Sequence, residues 1–233
     1  MFKHIRNQRR EQESRQYSEI LADQCYGFLK PLLVELNSIL DRRLVRTLLG
    51  LVMVIITHRH RNQGLLLSEL GGHLMPPSQA PAGTKRLSRL LLSERWSWKV
   101  IERFFWRQAD QRIAELRSEG ELALVVWDGS VVEKPESLEL EGLGPVRSTK
   151  AVRLKRIKPG YFNPPGGRPI FVPGFKWLSV IVLGMSGQPT LAHMRWWTTR
   201  GEHKTSRRDI EDDVLAESSR RWGQRVIHVW DRG

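Results

Sequence analysis

Two aspartates stand in matching settings. Leu122-Ala123-Leu124-Val125-Val126-Trp127 leads into Asp128-Gly129-Ser130, and Val226-Ile227-His228-Val229-Trp230 leads into Asp231-Arg232-Gly233. Both runs are short, apolar and β-branched, as expected of strands buried on both faces. If the two strands are neighbours, their ends bring the carboxylates together, and strand ends are where open α/β sheets bind ligands. Two carboxylates converging in basic surroundings repel each other, and a divalent cation relieves that repulsion. Mg²⁺ takes oxygen ligands, binds through one or two carboxylates, and completes its shell with water and substrate phosphate. With two such ions about 3.5 to 4 Å apart, one activates an attacking water or hydroxyl and the other stabilises the leaving oxygen of a phosphoryl displacement. Each aspartate alone also has a plainer reading. Asp128-Gly129 is a hairpin-turn signal that would fold Leu122–Trp127 onto Ser130–Glu133. Asp231 reads equally as a polar residue that opens a loop. Their shared setting favours the metal site.

The charge between them points the same way. The 233-residue chain carries 38 Lys plus Arg against 25 Asp plus Glu, a net charge of +13. No acid occurs between Glu141 and Glu202, whereas Arg147, Lys150, Arg153, Lys155, Arg156, Lys158, Arg168, Lys176, Arg195 and Arg200 all do. Such a run cannot neutralise itself locally, so it is either a solvated segment or a surface for a polyanion, chiefly nucleic acid. Tyr161, Phe162, Phe171, Phe175, Trp177, Trp196 and Trp197 interleave these cations and offer faces to bases, although several lie in strand-like runs where core packing is the default.

The elements that must position these residues fall into two regions. Residues 1–120 read as helical: Tyr17–Leu40, with Pro31 as a start or kink, then Arg43–Thr57, Ser68–Leu74 and Trp98–Arg117, stopped by Gly120. Between them, Met75–Gly83 reads as a loop, and Thr84 as the N-cap of a helix whose Leu87, Leu90 and Leu91 share one face. Lys85, Arg86 and Arg89 then share another face, which suits DNA phosphates and equally suits an amphipathic surface helix. The nine residues from Met75 to Gly83 exceed a helix-turn-helix turn. Residues 121–233 read as strand, basic excursion, an antiparallel hairpin of Trp177–Leu183 and Thr190–Trp197, a helix opened by a Ser206/Asp209 capping box and closed at Gly223, and a last strand.

Several classes are excluded by composition. The lone Cys25 leaves no intramolecular disulfide or Cys-based zinc cage, which points to a reducing compartment. The longest uncharged apolar run, Thr47–Thr57, is far shorter than the roughly 20 residues that cross a bilayer, and the charged start does not resemble a secretory signal. The expectation is a cytoplasmic protein without a membrane partner. His58 and His60, two apart on a helix, point to different faces. His228 reads as structural. Gly142-Leu143-Gly144-Pro145 and Pro164-Pro165-Gly166-Gly167 are turn material without the ending of a phosphate loop.

Val125-Val126-Trp127-Asp128-Gly129-Ser130 resembles the first catalytic block, and Val229-Trp230-Asp231-Arg232-Gly233 the second, of the DDE transposases of bacterial insertion sequences. The nearest branch is the cut-and-paste group with a later Tyr-Arg-Glu-Lys signature. Thr84–Leu92 also resembles the basic, leucine-rich helix before the catalytic core in that branch. The resemblance implies an α+β or α/β chain: a helical DNA-end-binding region over 1–120, then a partial ribonuclease H-like core with a mixed sheet over 121–233. It implies Asp128 and Asp231 as catalytic metal ligands, Mg²⁺ or Mn²⁺ in a two-metal mechanism, and a homodimer on double-stranded transposon-end and target DNA in the bacterial cytoplasm. The DNA contacts would be Lys85, Arg86 and Arg89 with Arg147, Lys150, Arg153, Lys155, Arg156 and Lys158. The family's third acidic ligand, a Glu, lies well downstream of the second Asp, whereas Glu202, Glu211, Asp212, Asp213 and Glu217 all precede Asp231. The expectation is therefore a truncated transposase, inactive as this chain alone. Two other readings stand beside it: a non-catalytic fragment that occupies transposon ends or inhibits the full-length enzyme, and a general ribonuclease H-like nuclease.

Overall fold

A computed structural model describes residues 2–58, 66–135, 137, 140–148 and 170–230, with side chains from residue 19 onward. Six α-helices and a five-stranded mixed sheet form a mixed α/β chain that divides into two compact units, Met1–Ile101 and Glu102–Gly233. The unit boundary falls inside a helix rather than at Gly120, because that helix supplies core residues to the sheet that follows it. No described helix is long and apolar enough to cross a membrane.

The first unit holds α1 (Phe2–Asn37), α2 (Arg42–His58), α3 (Leu67–Leu74) and α4 (Ala80–Leu91). Pro31 stays inside α1. Asp41 caps α2 by accepting hydrogen bonds from the backbone N–H of Arg43 and Leu44 at 2.9 and 3.0 Å. The Glu69 carboxylate likewise accepts from the N–H of Leu66 ahead of α3.

The segment read as a loop at Met75–Gly83 is shorter than expected. A 3₁₀ turn at Pro77–Gln79 runs directly into α4 at Ala80, because Pro81 is tolerated in a first helical turn, where N–H groups have no intrahelical partner. Thr84 is thus inside the helix, its hydroxyl donating to the Ala80 carbonyl, and it is not the N-cap. The buried stripe of α4 is Gly83, Leu87 and Leu90. Leu91 turns away and is 55% exposed, so it does not share that face. Gly83 and Gly71 explain the close packing of α4 on α3: a Cβ on Gly83 would lie 2.1 Å from the Gly71 carbonyl oxygen, and one on Gly71 2.4 Å from the Thr84 nitrogen.

The second unit is a sheet with helices on one face. Its elements are the remainder of α5 (Trp98–Ser118), β1 (Ala123–Glu133), β2 (Gly144–Arg147), β3 (Phe171–Leu183), β4 (Thr190–Trp197), α6 (Arg207–Trp222) and β5 (Val226–Trp230). β3 pairs antiparallel with β1 on one edge and with β2 and β4 on the other, while β5 pairs parallel with β1. The Trp177–Trp197 hairpin and the α6 capping box are as the sequence predicts: Ser206 Oγ accepts from the Asp209 N–H at 3.1 Å, and the Ser206 N–H donates to the Asp209 carboxylate at 3.0 Å. Gly223 ends α6 with φ 53°, in the left-handed region that a side chain disfavours. Gly144-Pro145, read as turn material, opens β2 instead.

Alternation decides which side of the sheet is buried. Ala123, Val125, Trp127, Leu178, Val180 and Val182 pack with Trp106, Ala109, Ile113 and Leu116 of α5 and with Ile210, Val214 and Trp222 of α6. A register shift opposite Val180/Ile181 turns two successive β4 residues, Ala192 and His193, to that buried side.

The glycine contact yields a stability test. Gly83→Ala is expected to destabilise the first unit by about 1 to 3 kcal/mol, since backbone must move to admit the methyl. Gly72→Ala, whose Cβ would meet only the Ala80 methyl at 3.5 Å, is expected to be neutral or mildly stabilising. Urea unfolding of the two variants against the parent checks the contrast.

Candidate functional site

Asp128 sits in the middle of a strand. β1 continues through Asp128-Gly129 to Glu133 with β3 paired along its length, and Gly129 lacks the positive φ of the expected hairpin turn, so the turn reading of Asp128 is overturned. The hydrophobic partners of Val131 explain the extension: Val146, Ile170 and Val172 form a second small core beyond the aspartate.

Because Trp127 is buried toward the helices, Asp128 faces the opposite side of the sheet, where it is exposed. Ser179, its partner on β3, donates its hydroxyl to the Asp128 carbonyl at 3.2 Å. That leaves the carboxylate unengaged by this neighbour. The same face carries Leu124, Val126, Ser130, Ile181, Trp177, Met194, Trp196, Ile227 and Val229, by the register of the four strands. Trp177 and Trp196 meet edge to face at 4.7 Å in the row next to Asp128.

β5 ends level with Trp127, one residue before Asp128. The parallel register runs from Ala123↔Val226 to Trp127↔Trp230, so Asp128 follows one member of the last pair along the chain and Asp231 follows the other. Asp231 itself, with Arg232 and Gly233, lies outside the described residues. The pairing is reinforced by side chains: the Trp127 indole N–H donates to His228 Nδ1 at 3.0 Å, and the Trp127 and Trp230 rings stack at 5.3 Å. Accepting that bond requires an unprotonated Nδ1, and burial lowers the His228 pKa, so both effects favour the neutral ring. His228 is structural, as its sequence setting implies. Among the described residues no group of three or more His, Cys, Asp or Glu comes together as a metal cage.

The opposite face holds a polar network that strand alternation does not reveal. Glu102 of α5 accepts from Arg195 of β4 at 2.8 Å, and Arg195 also reaches Asp213 of α6 at 3.3 Å. His193, 1% exposed, places Nδ1 3.1 Å from the same Glu102 oxygen, but neither ring nitrogen makes an aligned hydrogen bond. Burial first, and the Arg195 charge second, lower its pKa to about 3. At neutral pH this contact is therefore a neutral ring beside a carboxylate and no ion pair. Further along, Arg221 donates to Asp110 at 2.9 Å, Trp222 donates to the same carboxylate at 2.7 Å, and the Arg221 guanidinium lies over the Trp106 ring. These contacts join α5, α6 and β4 behind the strand that carries Asp128.

The basic residues divide by location. Lys85, Arg86 and Arg89 are all exposed on α4. Arg147 is exposed at the end of β2, opposite Phe171, which is eight residues along β3 from Ser179 and thus about 27 Å from it. Lys150, Arg153, Lys155, Arg156 and Lys158 lie outside the described residues, as do Tyr161 and Phe162. Sequence reasoning missed Arg43 and Arg46 of α2, which line an open hollow of about 580 Å³ together with Arg86 and Arg89. The signal available was three-residue spacing on a helix that has no acid in its first turn.

His193 sets a pH dependence with a definite sign. A histidine with an ordinary pKa of 6.5 unfolded and about 3 folded binds more protons in the unfolded chain between those values. Its contribution is complete above pH 6.5 and is lost as pH falls toward 3, by up to about 1.4 kcal/mol per pH unit. Urea unfolding at pH 7, 6 and 5 is expected to show this slope, and His193→Phe is expected to flatten it.

Against this geometry, comparison with known protein families finds no family model that matches the chain, and comparison with curated proteins finds no match either.

Proposed function

We propose that the chain is a DDE-type transposase that cleaves and transfers DNA strands, with Asp128 and Asp231 as its first two acidic residues. The observation that carries this reading is the level, parallel pairing of β1 and β5, since the two strands preceding the aspartates are direct neighbours with Trp127 opposite Trp230. With the short β2 set aside, β1, β3 and β4 antiparallel, then α6, then β5 parallel to β1 is also the order that a ribonuclease H-like core would have. The helical first unit would hold transposon ends through Lys85, Arg86 and Arg89, and Arg147, Lys150, Arg153, Lys155, Arg156 and Lys158 would also contact DNA, which two copies of the chain would bind.

Asp128 suits a hard divalent cation. Its carboxylate is exposed, and no described cation forms an ion pair with it. One or two carboxylates with water and phosphate are an ordinary Mg²⁺ shell. Bound there by Asp128 and Asp231, Mg²⁺ or Mn²⁺ would supply activation of the attacking oxygen and stabilisation of the leaving one. Ser179, through the Asp128 carbonyl, would hold the strand against displacement, and the α5–β4–α6 network would keep β1 rigid from behind.

The second reading is a protein that occupies transposon ends without cleaving them. It is favoured by a cationic hollow in the first unit, which needs nothing from Asp128. Gel assays on inverted-repeat duplexes separate the two. In a chain extended to supply the family's third acidic ligand, a transposase is expected to cleave in Mg²⁺ and to lose the rate by more than about 100-fold in Asp128→Ala and in Asp231→Ala, with duplex affinity retained. Binding that is indifferent to Mg²⁺ and to Asp128→Ala, without cleavage, is the signature of the end-occupying protein, and cleavage that ignores the repeat sequence is that of a general nuclease.

A further inference from the structure

The hollow between α2 and α4 is lined chiefly by arginines. Its rim combines Arg43 and Arg46 from α2 with Arg86 and Arg89 from α4, and Asp41 is the sole acid among its lining residues. The Asp41 carboxylate is already engaged by the backbone N–H groups of Arg43 and Leu44. None of the four arginines forms an ion pair with another described residue, and the single polar contact of Arg86 is a weak one to the Met75 sulfur. Four arginines thus line an open concavity with little internal compensation among the described residues.

Their placement on α2 adds a second argument. Arg42 and Arg43 occupy the first turn of α2 and Arg46 follows within the next, with no acid in that first turn. Cations there meet the positive end of the helix dipole, and the Asp41 carboxylate at the N-cap is the acid that offsets it. The mutual repulsion of the arginines is left for an external anion to relieve.

The shape selects the kind of anion. Within each helix the pair is spaced by three residues, an axial step of about 4.5 Å, so each pair shares one face of its helix. Four arginines on two helices carry more positive charge than a single phosphate neutralises. A nucleic-acid strand supplies successive charges, since a DNA duplex presents a phosphate on each strand for about every 3.4 Å of its axis. Guanidiniums also match phosphate oxygens in bidentate geometry, which ammonium groups do not.

We infer that Arg43, Arg46, Arg86 and Arg89 form a clamp for the phosphodiester backbone of duplex DNA, gripping it without regard to base sequence. This rests on the DNA-binding part of the function proposed above and not on catalysis at Asp128. It makes α2 a full contributor to the interface, whereas the basic face of α4 was the only part legible in the chain.

The full-length protein tests the clamp by fluorescence anisotropy on a 30-base-pair duplex of arbitrary sequence, at about 0.05 to 0.2 M salt. Arg43→Gln with Arg46→Gln, and Arg86→Gln with Arg89→Gln, are each expected to weaken binding at least tenfold. Each is also expected to flatten the slope of log affinity against log salt by about 0.9 for every phosphate left without its arginine. Lysine at the same positions restores most of the slope and only part of the affinity. The assay reads no cleavage, so a failed catalytic reading does not imitate a failed clamp. Phenylglyoxal labelling of the unmodified protein, read by mass spectrometry, is independent of how any variant folds, and the duplex is expected to protect all four arginines. Parental affinity and slope in the glutamine pairs would overturn the clamp. So would unprotected arginines, or an effect confined to single-stranded RNA or anionic vesicles.

Discussion

Everything described at the candidate site depends on the two-residue alternation of β1, held on both edges. Hydrogen bonding to β3 on one side and β5 on the other leaves this strand no freedom to slip. A one-residue slip would send Ala123, Val125 and Trp127 to the open face and Asp128 into the helical layer. Burying an unpaired carboxylate there is far costlier than exposing it. The apolar contacts of Trp127 and Val125 with α5 and α6 therefore determine where Asp128 points.

Charge is distributed unevenly between the two units, and that has chemical meaning. In the second, acids on the helices meet cations in defined geometry: Glu102 and Asp213 with Arg195, Asp110 and Glu217 with Arg221. Arg195 joins β4 to α5 and α6, and the Arg221–Asp110 pair joins α6 to α5, while Glu217–Arg221 lies within α6; all but the exposed Arg195–Asp213 pair are partly buried and so are screened less by salt. In the first, Arg43, Arg46, Arg86 and Arg89 have no such partners among the described residues. A net charge of +13 says only that a polyanion is a suitable partner, whereas the unpaired arginines say where one would sit.

Much of the second unit was legible. The β3–β4 hairpin, the Ser206/Asp209 box, the Gly223 stop and the parallel-type strands all follow from local patterns that tertiary contacts reinforce. Legibility failed where two local signals competed. Asp128-Gly129 carries the composition of a turn, but the pairing of β1 with the long β3 outweighs it, since Val131 has its own apolar cluster to join. Around Pro81 the cluster of prolines and glycines resembled a loop, yet Pro in a first turn and Gly at a helix crossing are both compatible with helix. Leu91 has the i+4 spacing of a shared stripe, but the close Gly83–Gly71 approach centres the buried face on Gly83, Leu87 and Leu90 and leaves Leu91 at its edge.

By itself the sequence determined most of the strands and helices, that the chain is strongly basic, and that two aspartates follow apolar runs of the same kind. These are local or additive properties, set by side-chain type and spacing along the chain. Only the tertiary structure decided that β1 and β5 are level neighbours, that Asp128 lies on the exposed face, that His193 is buried neutral beside Glu102, and that α2 and α4 bring four arginines around one hollow. Each of those joins residues far apart in sequence. The free energy that selects them comes from packing and register, which no local window of the chain contains.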